Sequence, residues 1–180
     1  MAHAEFLELS RRQPRREVAA TGVAATARRT PMTGAASLLA YLGAAPLLAA
    51  ALLMIADPLN GAAAEAFLVL YGATLLIFFG GVRWGVAVMK PAGPTPRALL
   101  GAALPMLAAL PLFAPIDAYG SGAQGKILII MALMIVLLLD DLRATRRGDG
   151  APEWYLGVRL PLTVLIEVAF LVALAAGMNG

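Results

Sequence analysis

The sequence predicts an all-α, multi-pass transmembrane helical bundle. Three observations carry that prediction. Of 180 residues, 61% are hydrophobic and 14% charged, with a mean hydropathy of +0.81; soluble domains carry about 25% charged residues. Five long apolar stretches are separated by short polar gaps. The basic residues then fall almost entirely in alternate gaps. A compact soluble domain of this length could not bury so much apolar surface, so lipid is the solvent that fits.

Residues 1–33 form a polar arm with Arg11, Arg12, Arg15, Arg16, Arg28 and Arg29 against Glu5, Glu8 and Glu17. It reads as a disordered cytoplasmic arm, followed by a five-helix domain over 34–180. No early apolar run marks a cleaved secretory signal, and three glutamates argue against a mitochondrial presequence. Arg11, Arg12, Arg15 and Arg16 suit contact with anionic membrane lipids. The net charge of +3 and pI of 9.7 accompany no nucleic-acid motif, so topology-setting charge is the better account.

The first span runs from about Ala35 to Ala56 around Pro46, and the second from about Ala62 to Met89. The third covers about Ala98 to Ala114. The fourth, about Ile127 to Leu139, is short for the ~20 residues a spanning helix needs, unless Gly122 to Lys126 and Asp140 lie at the interfaces. The fifth begins between Trp154 and Pro161 and ends near Gly177. Turn clusters separate them at Asp57-Pro58-Leu59-Asn60-Gly61, Lys90 to Pro96, Gly120-Ser121-Gly122 and Gly148-Asp149-Gly150. Lys90 and Arg97 occupy the gap after the second span, and Arg143, Arg146 and Arg147 the gap after the fourth. The opposite gaps hold only Lys126. This bias places the N-terminus inside and the C-terminus outside.

Pro105 and Pro111 in the third span each remove a backbone hydrogen bond and bend the helix. Freed carbonyls in lipid need partners, which predicts a kinked third span packed inside the bundle.

Ionisable groups within spans are costly and call for an explanation. Arg83 sits in Gly80-Gly81-Val82-Arg83-Trp84-Gly85, where it could snorkel to the headgroups. Gly80, and the Gly81–Gly85 step in particular, predict close helix packing. Arg159, Thr163 and Glu167 share one face at i, i+4, i+8 spacing. With Pro161 in the first turn of the last helix, Glu167 lies at the depth of Arg83. The expected arrangement is an intramembrane polar cluster of Arg83, Trp84, Asp140, Arg159, Thr163 and Glu167. Arg83 pairs with Glu167 in that cluster, or alternatively with Asp140 or Asp141.

Several chemistries find no support. Cysteine is absent and the single histidine is His3 in the arm, so thiol chemistry, Ser-His-Asp hydrolysis and His- or Cys-ligated metals lack their groups. Asp140, Asp141 and Asp149 lack the spaced pattern of magnesium-dependent transferases, and Arg143, Arg146 and Arg147 interrupt them. The expectation is a non-enzymatic membrane protein without cofactor or metal. Its role would be structural, assembly or lipid contact, as a homo-oligomer or a subunit of a membrane complex. A small proton- or ion-coupled transporter using Arg83 and Glu167 is the alternative. The Ala- and Arg-rich composition suits a bacterial inner membrane, with the mitochondrial inner membrane as the other setting.

Tyr71-Gly72-Ala73 followed by Phe79-Gly80-Gly81-Val82-Arg83-Trp84-Gly85 resembles the hallmark of the domain of unknown function 3429. That family includes bacterial inner-membrane and animal transmembrane-protein-69-like proteins. Tyr41-Leu42-Gly43 with Pro46, Asp140, and Arg159-Leu160-Pro161-Leu162-Thr163 resemble its other segments; Val158 departs from its leucine. The resemblance covers about residues 35–177. It implies a multi-pass membrane protein and supplies no catalytic residues.

Overall fold

The computed structural model describes residues 31–115 and 122–178. Five α-helices account for most of them: α1 (Pro31–Ala56), α2 (Gly61–Val88), α3 (Pro96–Ala109), α4 (Gly122–Arg146) and α5 (Glu153–Gly177). A 3-10 turn precedes α2 (Pro58–Asn60) and another extends α3 (Leu110–Phe113). Among the described residues there is no strand. Four segments are long and apolar enough to cross a membrane: α1, α2, α3 with its 3-10 extension, and α5.

Local chemistry sets the helix ends. Asp57 accepts from the Leu59 amide at 3.2 Å and from Asn60 Nδ2 at 2.6 Å, building the turn that reverses α1 into α2. Thr95 caps α3, its hydroxyl accepting from the Ala98 amide at 3.3 Å, with Pro96 in the first helical position. Gly148 takes φ +74 just past α4, a conformation that stops the helix. The turn expected at 120–121 and the arm at 1–30 lie outside the described residues; Gly122, at φ +61, opens α4.

Helices α1, α2, α4 and α5 close a four-membered ring in which each packs on two neighbours, and α3 lies outside it against α2. The ring's interior holds Leu47, Leu68, Leu76, Phe79, Ile127, Ile130, Met134, Ile166 and Phe170, all buried. Between helices in lipid there is no hydrophobic drive, so close fit decides association. Gly72 supplies such a fit, because a Cβ there would lie 2.7 Å from Phe170 Cζ and 3.1 Å from Ile130. Tyr71 donates to the Gly43 carbonyl at 2.8 Å, bonding α2 to α1 three residues before Pro46.

Three expectations are corrected. The third span is not wholly lipid-facing, since Ala102, Pro105 and Ala109 are buried against α2, but it lies outside the ring, with Leu100, Leu104, Leu107 and Leu110 exposed along its outer face. The Gly101 carbonyl freed by Pro105 is met by a side chain reaching out from the ring, and the Leu107 carbonyl freed by Pro111 accepts from the Leu110 amide. Pro161 lies in the third turn of α5, because that helix starts at Glu153. Glu167 is therefore 14 residues along α5, roughly 21 Å. Finally, α4 extends well past Ile127 to Leu139 at both ends, with Lys126 held by backbone carbonyls at one end and Asp140 and Asp141 paired with arginines at the other.

Candidate functional site

The ends of α2 and α4 and the starts of α3 and α5 meet in a charged crossing. Arg83, five residues before the end of α2, lies roughly 8 Å from it. Arg159, six residues into α5, lies roughly 9 Å from its start. These matching depths bring both guanidinium groups to Asp140 and Asp141 on α4. Arg83 Nη2 pairs with Asp140 Oδ2, and Arg83 Nε with Asp141 Oδ1 at 3.0 Å. Arg159 Nε lies 3.5 Å from Asp141 Oδ2. Asp141 thus serves two cations, one on α2 and one on α5.

Arg83 also reaches α3. Its Nη1 donates to the Gly101 carbonyl at 2.9 Å. In an unbroken helix that carbonyl would accept from residue 105, which is Pro105 and has no N–H. The arginine replaces the missing donor. Beside it, a Cβ at Gly80 would lie 2.8 Å from the Ala102 carbonyl oxygen and 2.8 Å from Met106 Cγ, so only glycine lets α2 and α3 approach this closely.

At the opposite end Lys126 performs a similar service. It is buried, and its ammonium donates to the carbonyls of Ala114 at 2.6 Å, Pro115 at 3.1 Å and Leu112 at 3.4 Å. All three of its donors are used.

Two cavities flank the crossing. One, about 360 Å³, is walled by charge: Arg83, Lys90, Arg97 and Arg147 with Asp140, Asp141 and Asp149. The other, about 440 Å³, is apolar and lies between α1, α2 and α5, with Arg159 in its wall. Val82 and Tyr155 belong to both.

A family model described as Protein of unknown function (DUF3429) matches residues 32–175. The chain belongs to the DUF3429 family. The match takes in the whole charged crossing and both cavities, and leaves out residues 1–31. No curated protein and no solved structure matches significantly.

Within this DUF3429 chain the residues expected to cluster divide into two groups. Arg83, Asp140 and Arg159 come together, and the Thr163 hydroxyl donates to the Arg159 carbonyl at 2.8 Å, bracing its helix. Arg83 pairs with Asp140 and Asp141 and not with Glu167: the late position of Glu167 along α5 removes the matched depth that pairing needed. The Glu167 carboxylate oxygens are buried and accept no hydrogen bond. Trp84 is 45% exposed and stands outside the ion-paired set. Gly80 packs closely, but a side chain at Gly81 or Gly85 would meet open space, so that step makes no helix contact. Asp149 lies 3.6 Å from Lys90, so each carboxylate of the trio faces a cation.

Sequence reasoning offered Asp141 as an alternative partner of Arg83 but missed its bridge to Arg159 and the roles of Lys126, Gly72 and Phe79. The four-residue spacing from Gly101 to Pro105 could have flagged the acceptor for Arg83. Phe79 opens the motif that carries the family resemblance, but spacing gave no sign that its ring centroid would lie 3.3 Å from the Arg159 guanidinium carbon.

Proposed function

We propose that this DUF3429 protein is a non-enzymatic integral membrane protein with a structural, assembly or lipid-contact role. All five helices cross the bilayer, with the N-terminal arm inside and the C-terminus outside. The observation that carries the reading is how the fold uses its embedded charge. Arg83 is committed to Asp140, Asp141 and the Gly101 carbonyl, and Lys126 to three further carbonyls. Groups engaged in this way hold helices together; a reacting group needs its charge and lone pairs available. The orientation rests on Lys90, Arg97, Arg143, Arg146 and Arg147, which share one end of the bundle, whereas Lys126 at the other end is absorbed by the backbone. A bacterial inner membrane is the proposed home, with the mitochondrial inner membrane as the alternative. Arg11, Arg12, Arg15 and Arg16 would add contact with anionic lipid, and self-association or membership of a membrane complex fits the same role.

Reporter fusions at Gly93 and after Gly180 test this topology. Five crossings put the two reporters in opposite compartments. Finding both in one compartment would remove the α4 crossing, and a cytoplasmic C-terminal reporter opposite an external one at Gly93 would reverse the orientation.

A second reading, a small proton- or ion-coupled transporter, is favoured by one observation: the Glu167 carboxylate has no hydrogen-bond partner. Glu167 would have to act without Arg83. Proton flux into liposomes holding the purified chain, abolished by Glu167→Gln, would support transport; equal flux from both would end it.

A further inference from the structure

Among the described residues, only Arg159 and Glu167 have buried side-chain polar atoms that make no hydrogen bond, and Arg159 has three. Its side chain is fully buried. One face of the guanidinium rests on Phe79. Asp141, already held more closely by Arg83, balances its charge at 3.5 Å without completing a hydrogen bond. An arginine cannot shed its charge and carries five N–H donors in a rigid fork. Leaving them empty is costly away from water.

Arg159 is one of the residues that wall the apolar groove between α1, α2 and α5, its guanidinium buried behind that wall. At about 440 Å³ the groove falls within the size range of small-molecule sites, roughly 300–1,000 Å³. Leu39, Ala40, Leu75 and Phe78 supply apolar walls, and Trp154 and Tyr155 stand at the end where α5 begins. Such aromatics suit headgroup level in a bilayer.

We propose that this groove holds an acyl chain of one anionic phospholipid, whose phosphate accepts hydrogen bonds from the Arg159 guanidinium. The inference deepens the lipid-contact reading and rests on it. The planar fork of arginine matches two phosphate oxygens at once. The surrounding charge selects the lipid class. Among the described residues, Arg159 is the one charged residue in the groove wall, and Lys90, Arg97, Arg143, Arg146 and Arg147 with Arg83 outnumber Asp140, Asp141, Asp149 and Glu153 at the same end of the bundle. A headgroup bearing its own ammonium would bring a further cation to a positive surface, and an anionic one would not.

Brominated acyl chains test the proposal by quenching tryptophan. The chain has two tryptophans, so Trp84→Phe leaves Trp154, in the groove wall, as the reporter. The full-length Trp84→Phe chain is placed in phosphatidylcholine vesicles doped with brominated phosphatidylglycerol or brominated phosphatidylcholine. We expect brominated phosphatidylglycerol to quench Trp154 with an apparent affinity about tenfold higher, the scale of one charge-assisted hydrogen bond. Arg159→Gln should remove that preference, and a Trp154→Phe chain reporting from exposed Trp84 should show none. Equal quenching by the two lipids, or a preference that survives Arg159→Gln, overturns the proposal. So does stronger quenching by brominated oleic acid than by brominated phosphatidylglycerol, which would assign the groove to free fatty acid. Where Arg159→Gln does not accumulate, Ala40→Phe fills the groove and keeps the guanidinium; a preference persisting there is equally fatal. A protein that fails to float with vesicles defeats the membrane reading itself, whereas one that inserts without lipid preference defeats only this inference.

Discussion

Arg83 stands in for the amide that Pro105 lacks. Its Nη1 donates at 2.9 Å to the Gly101 carbonyl, which Pro105 leaves without its helical partner. Two features that look like separate faults in apolar helices, a charge on α2 and a proline on α3, answer each other. The remaining guanidinium donors turn to Asp140 and Asp141 on α4, so one side chain ties three helices.

Removing that side chain leaves two carboxylates short of their partner. Arg83→Leu is expected to destabilise the protein by about 3–5 kcal/mol, the usual cost of stranding one member of a buried pair. Thermal unfolding in detergent reads this directly. Pro105→Ala should relieve part of the loss in the Arg83→Leu background, because it returns an amide to the Gly101 carbonyl. Strict additivity of the two changes would contradict the link.

Glu167 is expected to behave in the opposite way. With no ion pair to lose, Glu167→Gln should leave the melting temperature unchanged or raise it, since it removes an uncompensated buried acid group. A double-mutant cycle between Arg83 and Glu167 should give a coupling near zero. The same cycle between Arg83 and Asp141 should give roughly 0.5–3 kcal/mol, the range for residues in contact.

Lys126→Met is expected to cost stability without altering orientation. The substitution keeps much of the side-chain length but leaves the carbonyls of Leu112, Ala114 and Pro115 without their donor, at about 1–3 kcal/mol for an unsatisfied buried group. Melting should fall while the fusion pattern stays fixed. A changed fusion pattern would mean that Lys126 acts as a topology signal after all.

The glycines separate sharply. Gly80→Ala places a methyl 2.8 Å from a carbonyl oxygen of α3 and should destabilise by about 1–3 kcal/mol. Gly81→Ala and Gly85→Ala enter open space and should be neutral or slightly stabilising, because alanine favours helix. Equal effects at all three positions in a melting series would refute the α2–α3 packing.

Helix positions were readable from apolar run length and turn residues, and the boundaries of α2 and the ends of α1 and α5 follow those signals closely. The charged partners were readable only as alternatives. Choosing Glu167 for Arg83 assumed that Pro161 begins its helix. In fact Glu153, Trp154 and Tyr155 already lie in α5, moving Glu167 far along it. Spacing gives the face of a helix, but depth depends on where the helix starts, and a proline tolerated in the third turn hides that start. The choice between Gly80 and Gly81 is likewise rotational: adjacent glycines point about 100° apart on a helix, and tertiary packing alone selects which one meets a neighbour.

Because α5 packs on both α1 and α4, the first and last described helices are neighbours, and the ring stays open on one side until α5 has joined it. A nascent chain halted before residue 153 would leave Phe79 without its cation and the inner surface of α1 bare. Until α5 arrives the other helices form an unzipped barrel, and its docking between α1 and α4 is the step that closes it.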